Sequence, residues 1–330
     1  MLYTIETDQA RDVRINLALE EYCLRHLEPQ NAYVVFYIND PAVVIGRHQN
    51  PWQESNLFYL QRHNIPVVRR ISGGGTVFHD AGNLNFCFFN PFNRNSLTSI
   101  KNRLAPLLES LQNLGIDAKL DERNSIFIGS RKISGNAQFT NTRRIMVHGT
   151  LLFDTELESL KKALKPTFDT ISSSSPASIR QPVTNIAGHM QMPMDIHEFE
   201  RNLLETIAHK SGGLERYRLK AFQWDQIRHL ARHKYGSWKW NFGKTPDCRV
   251  SKVGSIGDKP VNVAVHIKSG LIDAIELHPE GTLSSEMVIG LQRLGGVRYD
   301  RRAIAEALAP YGAAMAAQSV HRRQLADLIF

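Results

Sequence analysis

The chain has 330 residues, is 42% hydrophobic and 22% charged, and carries a formal net charge of +8. It is long enough for one large domain plus a smaller one, and no run approaches the roughly 18 apolar residues that a membrane span needs. Its three cysteines, Cys23, Cys87 and Cys248, lie far apart without Cys-x-x-Cys spacing, which excludes a disulfide framework, argues against a zinc site and suits a reducing cytoplasm.

The first residues lack the apolar segment of a secretory signal. Ile15, Leu19, Tyr22, Cys23 and Leu27 then recur at helical spacing, so 12–27 reads as an amphipathic helix. Four β-branched or aromatic runs follow, at 33–38, 42–46, 66–71 and 83–89, and are expected to form one sheet. A helix over 97–114 ends at Gly115, with Pro106 as a kink or a misplaced start. SIFIG, RKISGNAQF and RIMVHGTLLF read as three further strands. The Ser/Pro-rich stretch 167–186 is aperiodic and reads as a mobile loop. Asp195 with Glu198 forms a capping box for a helix that runs to Gly212-Gly213. Beyond the aromatic cluster Trp238, Trp240 and Phe242, which is read as packing, a hairpin turns at Ser269-Gly270 and two helical stretches close a small α+β domain over 246–330.

The charge narrows the partners. The clusters Arg143-Arg144, Arg301-Arg302 and His321-Arg322-Arg323 are short and scattered, not the aromatic-interleaved stripe of a nucleic-acid groove, so an acidic protein or an anionic ligand is expected. Two motifs fail on spacing. Gly243-Lys244-Thr245 lacks the P-loop's earlier glycine, because position 238 is tryptophan, and His189 and His197 have no partner at metal-ligand spacing, so no metal is assigned to them.

One stretch stands out: RRISGGGTVFHD, 69–80, puts a glycine run after a strand and between charges. Glycine exposes its N–H without a Cβ and tolerates φ > 0, so such a run can form a nest of donors for an anion. Lys132, set between a Gly-Ser-Arg turn and Ser134-Gly135-Asn136-Ala137, supplies a point charge suited to a carboxylate or phosphate oxygen. No Ser/His/Asp or Cys/His nucleophile pattern surrounds the cysteines.

Together with NLALEE (16–21), VVIGRHQNPWQE (43–54), RKISGNAQ, HGTLLF and SWKWNFGKTPD (237–247), this stretch resembles the lipoate-protein ligases of the two-domain kind, in the family's order and over essentially the whole chain. The resemblance implies an α+β biotin/lipoate ligase-like catalytic domain, related to class II synthetases, over 1–245, and an accessory domain over 246–330. It implies two half-reactions: lipoate and ATP, with Mg²⁺, give lipoyl-AMP, and a lysine of an acceptor lipoyl domain then takes the acyl group. The implied acceptors are acidic lipoyl domains of 2-oxoacid dehydrogenase complexes or the glycine cleavage H protein. Lys132 matches the family lysine that contacts carboxyl and phosphate oxygens. Arg70 resembles its phosphate-contacting arginine, and Ser72, Gly73, Gly74 and Gly75 its loop along the adenylate. Thr76, Val77, Phe78 and His79 resemble the nucleotide segment; Ser134, Gly135, Ala137, His148 and Gly149 the pocket wall; and Arg180 part of a loop that orders over the adenylate. Where the family commonly has Arg-Asn-Asp, this chain has Arg123-Asn124-Ser125. Either Asp121 or Glu122 supplies that charge, the aspartate is dispensable, or the chain is an acyl transferase that takes preformed lipoyl-AMP or another lipoyl or octanoyl donor.

Overall fold

The structure is a computed structural model that describes residues 1–92, 100–166, 168, 170–256, 259–279, 281, 284–312 and 322–330. Residues 97–99 of the expected helix, Thr167 and Asp169 of the expected loop, and His321 of the basic cluster lie outside that set. The chain divides into two compact units: Met1–Arg47, Ser55–Lys165 and Ser178–Ser237 in the first, and His48–Glu54, Pro166–Ala177 and Trp238–Phe330 in the second.

In chain order, the first unit opens with β1 (Leu2–Ile5), α1 (Val13–His26), β2 (Ala32–Ile38) and β3 (Ala42–Ile45). Asp12 starts α1 by accepting the Arg14 N–H, and Arg25 and His26 close it where the helix dipole favours cations. The helix is amphipathic in pattern but buried almost all round, so Asn16, Glu20 and Glu21 go inside with its apolar residues. Then come β4 (Val67–Arg69), β5 (Val77–His79), β6 (Asn83–Pro91), α4 (Ile100–Asn113), β7 (Ala118–Leu120), β8 (Ile126–Ile128), β9 (Arg131–Ser134), β10 (Asn136–Thr140), β11 (Arg144–Leu152), α5 (Leu157–Leu164), α6 (Ile196–Lys210), β13 (Glu215–Tyr217) and α7 (Ala221–Leu230). Two short helices, α2 (Pro51–Glu54) in the second unit and α3 (Leu57–Arg62) in the first, fall between β3 and β4.

The four early strand runs do not share one sheet. β2 and β6 sit at the centre of a six-stranded mixed sheet, ordered β10-β11-β6-β2-β1-β13, whereas β3 and β4 join β5 in a separate sheet ordered β4-β3-β5. Composition favours a strand but does not choose its partners. Val43 and Val44 pair with Val67 and Val68 on one side and with Phe78 and Val77 on the other, a match made by long-range packing. RKISGNAQF also divides at Gly135: β9 pairs with β8 in the sheet β7-β8-β9, and β10 pairs with β11. One face of the large sheet, with Phe36, Phe86, Val147 and Leu151, forms a hydrophobic core with Leu104, Leu107 and Leu111 of α4 and Phe199, Leu203 and Ile207 of α6. Pro106 lies inside α4 rather than at its start. Asp195 caps α6 by accepting the N–H groups of His197 and Glu198.

In the second unit a sheet ordered β12-β14-β15-β16 is formed by β12 (Ile171–Ser173), β14 (Cys248–Ile256), β15 (Lys259–Lys268) and β16 (Leu271–His278). The expected loop at 167–186 therefore contains a strand, whose hydrogen-bonding need is met by β14. The hairpin turns at Ser269 (φ 50°) and Gly270 (φ 76°), as the sequence predicts. Among the described residues three α-helices follow where two were expected: α8 (Ser285–Gln292), α9 (Arg301–Ala307) and α10 (Arg322–Ile329). Gly295-Gly296 and the Asp300 cap separate the first two. Trp238 stacks on Phe242 with ring centroids 6.0 Å apart, and Trp52 packs on Phe242 at 5.7 Å within the same unit.

Candidate active site

The glycine run is the turn between β4 and β5, and a buried guanidinium organises it. Arg70 donates from Nε to Ser72 Oγ (3.0 Å), from Nη2 to the carbonyls of Gly73 (2.6 Å) and Gly75 (2.8 Å), and from Nη1 to the Val44 carbonyl (3.3 Å). Across a trans peptide the N–H points opposite to the C=O. Fixing the Gly73 and Gly75 carbonyls on Arg70 therefore turns the next N–H groups, of Gly74 and Thr76, away from it. Thr76 N–H meets Ser178 Oγ at 2.9 Å, while Gly73, Gly74 and Gly75 are accessible to solvent to differing degrees. Gly74 sits at φ +88°, and a Cβ there would come within 2.9 Å of Arg70 Nη2, so both conformation and space demand glycine.

Lys132 approaches from β9. Its N–H donates to the Pro182 carbonyl (2.8 Å) and its carbonyl accepts from Thr184 N–H (3.1 Å), so the backbone is clamped between β8 and the 182–184 segment. Its Cε and Nζ lie 3.4 Å from where a Gly135 Cβ would be, and Val77 Cγ1 lies 4.0 Å from that point. Ala137 Cβ lies 3.6 Å from where a Gly74 Cβ would be. The structure thus gathers the glycine loop, Val77, Lys132, Gly135 and Ala137. Burial lowers the Lys132 pKa below the usual lysine value, and the charge of Asp121 opposes that shift.

Alternation along β5 sorts its residues. Val77 faces Gly135, Phe78 packs into a core with Val43, Ile45 and Leu60, and His79 returns to the buried polar side. Asn16 Nδ2 donates to Asn39 Oδ1 and Asn39 Nδ2 to His79 Nδ1, each at 2.8 Å. This order makes Nδ1 an acceptor and leaves the proton of a neutral ring on Nε2, which has no hydrogen-bond partner among the described residues. Burial, with Arg70 and His148 adding to it, lowers the His79 pKa to about 3, so the ring is neutral.

On β11, His148 pairs with Cys87 and Ala137 across the sheet. Its Nε2 lies 2.6 Å from Ser72 Oγ and its Nδ1 2.7 Å from Glu20 Oε2, while Tyr37 O–H donates to Glu20 Oε1 at 2.8 Å. Glu20, Cys87 and His148 bring one potential ligand atom each to within 4.8 Å of one another, but both His148 nitrogens and both Glu20 oxygens already serve hydrogen bonds. A metal would have to displace that network, so none is assigned there. Gly149 is required by close approach, since a Cβ would lie 2.0 Å from Asn136 Oδ1.

Ser134 is buried and donates to Asn136 Oδ1 (3.1 Å), and Asn136 Nδ2 donates to the Asn124 carbonyl (2.6 Å). Ser125 is buried in the same turn, where its N–H and that of Arg123 donate to Asp121 Oδ1 at 2.7 and 2.9 Å. Arg180 is exposed and donates to the Leu164 carbonyl at the end of α5, while the neighbouring 182–184 segment flanks Lys132.

Glu20, Tyr37 and Asn39 were not picked out from the sequence. The signal for Glu20 was present: two acids, Glu20 and Glu21, interrupt the apolar face of a helix. A Ser-His-acid alignment does exist, against the sequence expectation, but Ser72 is 0% exposed and already accepts a hydrogen bond from Arg70, so it is no ready nucleophile. Burial pushes the Cys87 thiol well up and that of Cys248 to about 11, which leaves little thiolate. What the site offers is a lysine, the outward N–H of Gly74 and a buried polar wall: a cradle for an anionic group in transfer.

The chain matches the family model "Lipoyl protein ligase A/B catalytic domain" over residues 12–208. It is 35% identical to Lipoate-protein ligase LplJ of Bacillus subtilis over 99% of both chains. Its fold matches that of Ta0514 from T. acidophilum, described as a putative lipoate protein ligase with bound lipoic acid, at 26% identity with a TM-score of 0.63 over 73% of this chain and 98% of that one. A second structure, reported as a bi-partite lipoate protein ligase and its E2 lipoyl domain from Thermoplasma acidophilum, matches at 25% identity and TM-score 0.62, covering 73% and 94%.

Proposed function

The chain belongs to the lipoyl protein ligase family and is a lipoate-protein ligase; from that premise we propose that it forms lipoyl-AMP and passes the acyl group to an acidic lipoyl domain. The carrying observation is the placement of Lys132 Nζ over Gly135, beside the glycine loop. In the first half-step a lipoate carboxylate oxygen attacks the α-phosphorus of ATP, the bond to the bridging oxygen breaks, and pyrophosphate leaves. Negative charge gathers on the α-phosphoryl oxygens. Lys132 and the outward Gly74 N–H face that charge, Thr76 N–H being held by Ser178 Oγ, and the His79 Nε2–H is a further buried donor. In the second half-step an acceptor lysine amine attacks the carboxyl carbon of the mixed anhydride, giving an amide, AMP and a proton. Positioning and charge neutralisation carry both steps, and no enzyme nucleophile is needed.

Mg²⁺ fits the residues present. It usually takes one or two carboxylates plus phosphate oxygens, and Asp121 brings one carboxylate whose charge is felt at Lys132. When bound it would neutralise phosphate charge. Gly73, Gly74, Gly75, Thr76 and Val77 would line the nucleotide side with buried Arg70 and Ser72 holding them from behind, Ala137 and Gly149 would form the wall with buried Ser134 and His148 behind it, and Arg180 would belong to a covering segment. The lipoate-bound and lipoyl-domain neighbours support lipoate as acyl group and a lipoyl domain as acceptor; the acceptor proposed is a lipoyl domain of a 2-oxoacid dehydrogenase complex or the glycine cleavage H protein. The formal charge of +8 favours acidic acceptors by speeding encounter. Three buried free cysteines suit a cytoplasmic site of action.

Ser125 favours a second reading, an acyl transferase that starts from lipoyl-AMP. The test is the intact mass of an acidic acceptor lipoyl domain after incubation with the protein, lipoate, ATP and Mg²⁺, beside a tube given synthetic lipoyl-AMP. Mass gain in both tubes is expected. Gain with lipoyl-AMP alone would establish the transferase, and gain in neither would remove the acceptor assignment.

A further inference from the structure

We propose that Glu20 is a positioning residue for the adenylate-binding loop, acting through His148 and Ser72 on Arg70; this deepens the ligase reading and rests on it for the reaction affected. The direction of the chain follows from its one fixed member. A guanidinium only donates, so Ser72 Oγ accepts from Arg70 Nε at 3.0 Å. The Ser72 proton then has two acceptors in reach, His148 Nε2 at 2.6 Å and the Gly73 carbonyl at 3.4 Å, and takes the nearer. Nε2 is assigned as that acceptor, and because the Glu20 carboxylate can only accept, Nδ1 carries the proton and Nδ1–H donates to Glu20 Oε2 at 2.7 Å. Glu20 Oε1 is held in turn by the Tyr37 hydroxyl at 2.8 Å.

Each link is buried, with Glu20 1%, His148 6%, Ser72 0% and Arg70 6% exposed, so water does not compete for the protons. The other end of the same guanidinium holds the Gly73 and Gly75 carbonyls and thereby aims the loop N–H groups. Replace the carboxylate with the amide of Gln and Nδ1 can meet either an oxygen or an NH2, so its tautomer is no longer selected. Ser72 is then free to rotate toward Gly73, and Arg70 Nε loses a fixed partner. A carboxylate on α1 thus sets the shape of a loop between β4 and β5.

The test uses the full chain as wild type, Glu20→Gln, Ser72→Ala and the double variant, each first checked for unchanged thermal unfolding; Glu20→Asp replaces any Glu20→Gln that unfolds early. In the unliganded protein, ¹⁵N NMR should show His148 as the Nδ1–H tautomer, and Glu20→Gln should move the Arg70 Nε–H resonance although the two residues do not touch. In the lipoate- and ATP-dependent first step, Glu20→Gln should lower kcat on the order of 10-fold, the low end of what an orienting partner is worth, and in the complete reaction KM for the acceptor should be unchanged. Its effect should vanish in the Ser72→Ala background. An Nε2–H or doubly protonated ring, an unmoved Arg70 resonance, or additive effects of the two substitutions would overturn the proposal. So would a lipoyl mass gain on Ser72 after incubation with lipoyl-AMP, since Ser72 would then be a nucleophile. The NMR arms are read without substrate, so they test the relay even where the ligase reading fails.

Discussion

Two buried side chains show how the site uses desolvation. Burial lowers the Lys132 pKa, and the same desolvated surroundings strengthen the pull of its charge on an incoming anion. Replacing it with alanine should slow adenylate formation by about 10²–10³, the usual cost of losing one charge-stabilising donor, with thermal stability little changed. Retained activity in Lys132→Ala would remove this lysine from the mechanism. His79 works in the opposite sense. Its folded pKa is depressed from 6.5 to about 3, so the unfolded chain takes up the proton first as pH falls. The stability due to the neutral ring is fully present above pH 6.5 and is lost on going down toward pH 3, at a slope of roughly 1.4 kcal/mol per pH unit. Denaturant unfolding between pH 6.5 and 4 should show that slope in the wild type and a flatter one in His79→Gln; equal slopes would contradict it. The glycine loop and Lys132 were legible because their residue types announce their chemistry. His79 was legible only as part of a motif, because the Asn16–Asn39 relay that fixes its tautomer spans residues with no shared pattern.

Among the secondary-structure elements, the strands were readable and their partners were not. Runs such as AVVI and VVR have strand composition wherever they pair, and only the folded chain sets β3 between β4 and β5. Gly135 is a case where one residue ends one strand and begins another, so RKISGNAQF serves two sheets. The α6 cap was readable because its rule is local. Asp195→Ala should lower the midpoint of chemical denaturation, with no change in the catalytic half-reactions; an unmoved midpoint or a loss of activity would contradict a capping role. Gly149→Ala is the counterpart in a strand. Its Cβ would lie 2.0 Å from Asn136 Oδ1 and 2.8 Å from Phe86 Cζ, so β10 must shift against β11. The expected result is clear destabilisation together with weakened adenylate formation, since β10 carries Ala137 beside the glycine loop. A fully stable and active Gly149→Ala would show that β10 yields without cost.

Across the whole molecule, the chain does not divide at a single point. His48–Glu54 and Pro166–Ala177 belong to the second compact unit, although most of the sequence around them belongs to the first. Composition shifts along a sequence locate a boundary but not such excursions, because the affinity of Ile171–Ser173 for β14 shows only once the strands pair. Trp52 is the anchor of the first excursion, 0% exposed and packed on Phe242 and Tyr299 with ring centroids 5.7 and 5.4 Å apart. Trp52→Ala should cost about 3–5 kcal/mol. Differential scanning calorimetry would register it as a lowered transition, and an unchanged profile would contradict the packing described.

The reaction proposed for this fold begins with the glycine loop and Lys132 activating lipoate together. Lipoate-dependent exchange of labelled pyrophosphate into ATP reads that half-step without any acceptor. Exchange should require lipoate and should fall by about 10²–10³ in Lys132→Ala. Absence of lipoate-dependent exchange in the wild type, or undiminished exchange in the variant, would contradict the assignment.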